Sequence, residues 1–176
     1  MRTVFLDTET TGLNSDAEIV EIAIVDGSGN VIFESYCRPT VPVDPGAEAI
    51  HGIGSDNLAT APAWPAIAEQ VKTALAGKKV VIFNSAFDTR ILRATAAAHG
   101  DPADWLDALV TDCAMYRAAS IYGATNRYGT ISLVNAAARA GVEFQGKAHT
   151  AAGDAMTTAL LWEAMNERER EGELSD

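Results

Sequence analysis

Cysteine is scarce in this sequence, basic residues are few, and long apolar runs are missing. Cys37 and Cys113 are the two cysteines, and their spacing fits neither a Cys-x-x-Cys motif nor a zinc site, so we expect free thiols and no disulfide. The apolar runs, such as residues 80–83, are far shorter than the roughly 20 residues that span a membrane. The apolar stretch at the N-terminus stops at Asp7, which is too short for the core of a signal peptide. We therefore expect a protein that crosses no membrane and lies in the cytoplasm.

The balance of charge is acidic: 13 Lys and Arg stand against 24 Asp and Glu, a net charge of −11. Non-specific binding to nucleic acid depends mainly on Lys and Arg, so the composition alone argues against a nucleic-acid partner. The 48% hydrophobic and 21% charged residues exclude disorder and allow a core without disulfide or metal support. We expect one domain over residues 1–166. The acidic stretch 167–176 loses its apolar periodicity, and we expect it to be a frayed tail.

The hydrophobic periodicity predicts an α/β fold that opens with three strands. β-branched and aromatic runs predict strands over residues 3–9, 19–25 and 30–37, and the turn 26–29 makes a hairpin of the last two. The proline-rich stretch 38–46 predicts an irregular loop that excludes helix. Beyond it we expect a helix over 64–75, strands at 79–83 and 109–112, and helices after 84, near 113–119 and 131–140, and at 150–166.

Acidic side chains stand at the ends of several predicted elements. Asp7 and Glu9 are two residues apart at the end of the first strand, so both carboxylates project from the same side. Asp88 follows the apolar strand 79–83 at the start of a helix, where open α/β sheets usually bind ligands. Taken singly, each also has an ordinary interpretation: a solvated strand end for the pair, and an acid that complements a helix dipole for Asp88.

His149 and Asp154 open the last predicted helix. Residues five apart on an ideal helix differ by about 140° in direction, so the two side chains converge only if His149 lies in the preceding loop. Thr150 is the expected cap at that boundary. His149 alone is equally typical of a surface histidine. A carboxylate that faces the core, as predicted for Asp154, is costly unless it is paired or binds a cation.

Together the four acids predict a site for divalent cations. Two carboxylates about 4 Å apart repel by roughly 4 kcal/mol at an effective dielectric constant near 20, so four ionised carboxylates cannot share a pocket without cations. Two divalent ions would balance the four charges. Oxygen ligands favour Mg²⁺ or Mn²⁺, and a pair of such ions suits hydrolysis of a phosphodiester. A histidine beside them is suited to take a proton from the attacking water at neutral pH.

Three segments resemble the motifs of the DEDDh 3′–5′ exonucleases, the group with the proofreading subunit of bacterial replicative DNA polymerase, exonuclease X, RNase T and oligoribonuclease. They are, in order, DTETTGL at 7–13, NSAFD at 84–88 and HTAAGD at 149–154, and the likeness covers nearly the whole chain. Residues 19–22 and 38–53 are also similar. One departure is Phe83, where many members have a histidine. The resemblance implies an RNase H-like fold: a central mixed five-stranded sheet, with an antiparallel meander plus parallel strands, flanked by helices.

The resemblance also implies roles for particular residues. Asp7, Glu9 and Asp154 would bind one cation, Asp7 would hold the second, and Asp88 would support the site directly or through water. His149 would be the general base. The residues implied to contact the 3′-terminal nucleotide are Thr10, Gly12, Leu13, Ile50, His51, Asn84 and Phe87. Phe87 also shares a helical face with Ile91, so a core role is its alternative. The implied reaction is two-metal hydrolysis that releases nucleoside 5′-monophosphates from the 3′ end.

An enzyme that binds only the last one or two nucleotides needs no basic groove, which answers the objection from charge. We expect weak, distributive digestion of a single-stranded 3′ end, DNA rather than RNA, with an exoribonuclease of the RNase T or oligoribonuclease type as the alternative. The basic side chains nearest the motifs are candidates for phosphate contacts, with an ordinary surface charge as the alternative for each. They are Arg90, Arg93, Arg127, Arg139 and Lys147. A polymerase or other repair subunit is a candidate partner, and both a monomer and a homodimer are compatible with the sequence.

Two other classes of protein compete with this hypothesis. A phosphatase of the haloacid dehalogenase type also has an aspartate after its first strand, but it needs a second aspartate where this chain has Glu9. A non-catalytic module of the same fold would dock on a partner and use the acids only structurally. His149 has no evident packing purpose, which favours catalysis over docking.

Overall fold

A five-stranded mixed sheet forms the centre of the fold in the computed structural model, which describes residues 1–173. Its strands are β1 (Thr3–Thr10), β2 (Ile19–Asp26), β3 (Val31–Tyr36), β4 (Lys79–Ile82) and β5 (Val110–Cys113). Their order is β3-β2-β1-β4-β5. β1, β2 and β3 form the antiparallel part, whereas β4 is parallel to both β1 and β5. The predicted meander followed by parallel strands is confirmed.

Helices cover both faces of this sheet. They are α1 (Pro45–His51), α2 (Ser55–Leu58), α3 (Trp64–Leu75), α4 (Ser85–Ala98), a 3-10 helix (Asp104–Ala108), α5 (Ala114–Tyr122), α6 (Leu133–Ala140) and α7 (Ala151–Glu173). Side chains alternate along a strand, so Val4 and Leu6 of β1 face α3 and α4, whereas Phe5 faces α5, α6 and α7. β1 therefore lies between two cores, and residues at its end can meet groups from either layer.

The proline-rich segment differs from the prediction of a loop through residue 46. Helix α1 begins at Pro45, because a proline at the first helical position lacks only an N–H that would have no partner there. The carboxylate of Asp44 caps the helix by accepting from the Gly46 N–H at 3.2 Å. The Asp44 N–H also donates to the Thr11 carbonyl at 2.8 Å. These contacts hold the start of α1 beside the end of β1.

The expected end of the last helix at residue 166 is also wrong, because α7 continues to Glu173. Arg117 of α5 stacks on Trp162 at 4.2 Å and donates to Asn166 and Glu169, at 2.7 and 2.6 Å. The contact between Arg117 and Glu169 thus holds α7 against α5 beyond residue 166, where the apolar stripe is missing. The rest of the predicted tail, residues 174–176, lies outside the described residues.

Two further properties bear on the sequence predictions. Cys37 and Cys113 are free thiols. Among the helices of residues 1–173, none combines the length and apolarity of a membrane span.

Candidate active site

The end of β1 carries the first two acids. Asp7 pairs with Ala23 and Glu9 with Glu21 in the register with β2. Both acids have the parity of Phe5, so they face the layer that contains α7. The register between β1 and β2 shifts after Glu9, which ends the regular pairing there. The carboxylates therefore lie between the sheet and the start of α7.

Asp88 contacts β1 from the other face of the sheet, the face covered by α3 and α4. β4 ends at Ile82, opposite Leu6, so the chain turns into α4 beside the end of β1. Asp88 is buried, with 4% of its surface exposed. Its Oδ1 accepts from the Thr8 hydroxyl at 2.7 Å and from the Thr8 N–H at 3.2 Å. Thr8 thus fixes Asp88 against the segment between the two β1 acids.

His149 lies in the loop before α7, and Asp154 lies on the helix, as their convergence requires. The His149 backbone has φ of 63°, a left-handed conformation that is uncommon for residues other than glycine. Its N–H donates to Asp154 Oδ1 at 3.2 Å. Thr150 accepts from the Gly153 N–H at 3.3 Å, in the capping role expected for it. The histidine side chain remains exposed, beside the aspartate.

The four carboxylates repel one another in a desolvated site. Burial, followed by the charges of Asp88 and Asp154, raises the pKa of Asp7 well above its usual range. Burial and neighbouring acids raise the pKa of Glu9 to about 8, and burial raises that of Asp88 to about 7 despite the hydrogen bonds it accepts. The pKa of Asp154 is raised by burial too. Among residues 1–173, no lysine or arginine forms an ion pair with any of the four.

The donor set fits a hard divalent cation. Carboxylate oxygens of Glu9 and Asp154 and a ring nitrogen of His149 all lie within 4.8 Å of one another. Asp7 and Asp88 lie near enough for the charge of Asp154 to raise the pKa of each, although they are not among the three residues whose ligand atoms lie within 4.8 Å of one another. Oxygen ligands are those that Mg²⁺ and Mn²⁺ prefer. Cations would also neutralise the repulsion that raises the pKa values.

A cavity of about 620 Å³ adjoins the site, and Glu9 is the one of the four acids that lines it. Among the residues expected to contact a nucleotide, six line it: Thr10, Gly12, Leu13, Ile50, His51 and Phe87. Asn84 does not line this cavity. Leu13 and Ile50 are 82% and 58% exposed, and both lie in the wall of this one cavity, where they form an apolar surface open to solvent. His51 is buried instead, and its ring nitrogens contact the Thr10 carbonyl and the Ile53 N–H, each at 3.0 Å.

The five candidate phosphate contacts fare differently. Arg90 donates to two backbone carbonyls in the loop after β1, Arg93 forms an ion pair with an aspartate of the 3-10 helix, and Arg139 donates to two carbonyls at the end of α5. These three guanidinium groups already have partners within the protein. Arg127 stacks on the ring of the next residue in an exposed turn. Lys147 is exposed, two residues before His149.

Sequence reasoning missed three residues that build the site: Thr8, Glu21 and Gly153. Glu21 accepts from the Ala151 N–H at 2.9 Å. Burial raises the pKa of Glu21, and that hydrogen bond opposes the effect. Its signal in the sequence was a lone acid within the apolar strand IVEIAIV. A Cβ on Gly153 would lie 2.7 Å from the carbonyl of Gln145, so this position requires glycine.

Comparisons with known proteins agree with this geometry. The Exonuclease (RNase_T) family model matches residues 4–162. The exonuclease CP81 of Escherichia phage 186, named as uncharacterized, is 38% identical over 168 residues, covering 92% of this chain and 87% of the phage protein. The DNA polymerase III epsilon subunit of Escherichia coli K12 is 36% identical over 98 residues, which are 49% of this chain and 40% of the subunit.

A solved structure agrees as well. Exonuclease X in complex with 5′-overhanging duplex DNA has a TM-score of 0.68 and 27% identity, covering 94% of this chain and 92% of that one. The fold and the acidic cluster define a nuclease rather than a phosphatase of the haloacid dehalogenase type. The chain belongs to the exonuclease family, as a 3′–5′ exonuclease of the DEDDh group with an RNase H-like fold.

Proposed function

We propose that this enzyme removes nucleotides one at a time from a single-stranded 3′ end, with two divalent cations, Mg²⁺ or Mn²⁺, and releases nucleoside 5′-monophosphates. One observation carries the proposal. Glu9, Asp154 and His149 bring ligand atoms within 4.8 Å of one another, with Asp7 and Asp88 near enough to feel the charge of Asp154, and Glu9 also lines a cavity whose wall includes exposed aliphatic side chains. A purely structural cluster of acids would gain nothing from such a cavity, and its repulsion would only destabilise the fold.

The acids divide into binding and support roles. Asp7, Glu9 and Asp154 hold the cations, and Asp88, fixed by Thr8, supports them from the other layer. Bound cations supply Lewis-acid activation of water and neutralise charge on the phosphate. The His149 ring accepts the proton of the attacking water at one of its nitrogens. Its exposed position beside Asp154 leaves that nitrogen open to the incoming water.

The cavity holds the terminal nucleotide. Leu13, Ile50 and Phe87 contact the base through apolar surfaces, and such contacts tolerate any base. The backbone at Thr10 and Gly12 lies close enough to the acids to contact the terminal sugar. His51 braces the wall of the cavity through the Thr10 carbonyl.

DNA is the proposed substrate. Exonuclease X is bound to DNA in its structure, and the epsilon subunit is named as part of a DNA polymerase. By the same comparison, a polymerase or other repair subunit is the proposed partner. The cytoplasmic location and the choice between monomer and homodimer stay predictions.

The test is digestion of 5′-labelled single-stranded oligomers of DNA and RNA in Mg²⁺ or Mn²⁺. We expect a ladder that shortens from the 3′ end of DNA, with mononucleotides as products, and no digestion with a chelator or in the His149→Ala variant. His99→Ala is the matched control, because His99 follows α4 at the end remote from Asp88. A ladder on RNA and not on DNA would show that the substrate is RNA and would contradict the proposed choice of DNA. Intact oligomers under every condition would refute the proposal and favour the docking module.

A further inference from the structure

Glu21 is a buried acid that the proposed reaction does not use. It lies on β2 with 7% of its surface exposed, directly opposite Glu9 in the register of β1 and β2. Two carboxylates opposite each other on one face of an antiparallel pair repel, so a glutamate at this position needs a compensating partner. That partner is the backbone N–H of Ala151, which donates to Glu21 Oε2 at 2.9 Å.

The Ala151 N–H belongs to the first turn of α7. The first four N–H groups of any helix lack acceptors within the helix. Thr150 accepts from one of them, that of Gly153, whereas Glu21 accepts from another although it lies 130 residues earlier in the chain. The positive end of the helix dipole favours a carboxylate here. Glu21 is therefore a tertiary cap that ties α7 to β2.

This tie falls between two residues of the site. Ala151 is two residues after His149 and three before Asp154. β2 is the direct neighbour of the strand that carries Asp7 and Glu9. A shift of the first turn of α7 would move both the histidine and the aspartate relative to the β1 acids. A misplacement of about 1 Å between reacting groups costs about 10²-fold in rate.

We propose that Glu21 is a positioning residue: its hydrogen bond to the Ala151 N–H fixes the start of α7 and so aligns the groups of the exonuclease site. The inference rests on the function proposed above. The competing explanation is that Glu21 acts through its charge, by strengthening cation binding at the neighbouring carboxylates. A neutral side chain that keeps the acceptor separates the two explanations.

Glu21→Gln and Glu21→Met are a matched pair for this test. Both side chains are neutral and similar in size, but glutamine keeps a carbonyl acceptor for the Ala151 N–H and methionine does not. Thr95→Val is the control, because it removes a different buried acceptor that serves a β2 N–H. The Thr95 hydroxyl, on α4, accepts from the Ile19 N–H at 3.0 Å. The measurements are kcat and KM on a short DNA oligomer, and amide hydrogen exchange over residues 149–158 in the metal-free protein.

We expect kcat of the Gln variant to exceed that of the Met variant by about tenfold or more, with KM of each within about threefold of the wild-type value. Exchange in the first turn of α7 should accelerate in the Met variant, and not in the Gln or Thr95→Val variants. A kcat ratio below about threefold would overturn the proposal, even if both variants are slow, because lost charge is common to both.

The hydrogen-exchange data test, independently of catalysis, whether Glu21 fixes the start of α7. Equal protection of the first turn in the Gln and Met variants would overturn the anchoring role. A wild-type protein that digests no oligomer would refute the proposed function, and the exchange comparison would still decide whether Glu21 anchors α7. Glu21→Ala takes the place of the Met variant if the latter does not fold.

Discussion

Gly153→Ala sets two physical effects against each other. In an ordinary helix interior, alanine in place of glycine stabilises by about 0.5–1 kcal/mol. Here the new Cβ would lie 2.7 Å from the Gln145 carbonyl oxygen and the Thr150 hydroxyl, and 2.8 Å from the Lys147 carbonyl oxygen. Relief of these contacts needs a shift of about 0.7 Å, since ordinary contacts begin near 3.4 Å. The Gln145 N–H is held by the Thr157 hydroxyl at 3.0 Å, so the loop cannot withdraw freely.

The clash should prevail in both stability and rate. Overpacking costs about 1–3 kcal/mol. Because the new Cβ would clash with three atoms at once, we expect a cost in the upper half of that range. After a gain in helix propensity of about 0.5–1 kcal/mol, the net loss is about 1–2.5 kcal/mol. For a chain of this size each kcal/mol lowers Tm by about 2–4 °C, so the loss lowers Tm by about 2–10 °C. The shift falls next to Asp154 and on the loop that carries His149, so kcat should drop by about 10- to 100-fold.

Thermal melts by circular dichroism and initial rates on a labelled DNA oligomer measure the two effects. Gly172→Ala is the control, because it lies in the same helix and its Cβ would meet nothing within 4 Å. This control should leave kcat unchanged and Tm unchanged or slightly higher. Wild-type kcat and Tm in Gly153→Ala would refute the steric argument.

Three other perturbations test separate contacts. Arg90→Ala removes the donor to the loop after β1, so KM for oligomers should rise several-fold with kcat within about twofold; steady-state kinetics that match those of Arg93→Ala would contradict this. In chelator, the raised pKa values of Glu9 and Asp88 mean that the folded state favours their protonated forms. Stability should therefore be highest below about pH 4.5 for these groups and fall as pH rises towards about 8, by up to about 1.4 kcal/mol per unit of raised pKa. Melts at several pH values, with and without Mg²⁺, should show this loss and its recovery on adding the cation; a Tm that rises between pH 6 and 8 in chelator would exclude it. Arg117→Ala should speed amide exchange over residues 166–173, because α7 loses its contacts with α5 there; unchanged exchange would show that this end of the helix is stable alone.

Local sequence patterns predicted the elements whose stability comes from their own residues. Runs of β-branched and aromatic residues identified the first three strands, and the helix over 64–75 matches α3 in both bounds. The patterns failed at two helix ends, the start of α1 and the end of α7. Helix α7 passes residue 166 because a side chain of α5 holds it, and α1 begins at a proline because Asp44 caps it. Arg117 lies 49 and 52 residues from Asn166 and Glu169, so no window of residues could weigh its contacts. Asp44 directly precedes Pro45, so this capping signal was present in the sequence, but the prolines around it were interpreted as a loop.

The same distinction between local and distant signals applies to the residues of the site. Each of the acids at 7, 9, 88 and 154 has an ordinary interpretation when taken alone. A common site could be predicted because four acids at element ends need cations if they share a pocket, and because they fall in the three segments that resemble the DEDDh motifs. Glu21 could not be given a role, because its partner is 130 residues away and is a backbone N–H that no side-chain pattern marks. The need for glycine at 153 depends on the path of residues 145–147 and can be stated only from coordinates.

The net negative charge of the chain is consistent with a nucleic-acid substrate, because the arginines near the site already have partners within the protein. Arg90 and Arg139 donate to backbone carbonyls, so these two side chains do not form a phosphate-binding groove. Phosphate would instead meet positive charge mainly at the divalent metal ions, and the base would meet apolar surface at Leu13 and Ile50. Few released counterions then accompany binding, and contacts beyond the terminal nucleotides are weak. Weak binding beyond the terminus favours dissociation after each cleavage, which is the physical basis for expecting distributive digestion.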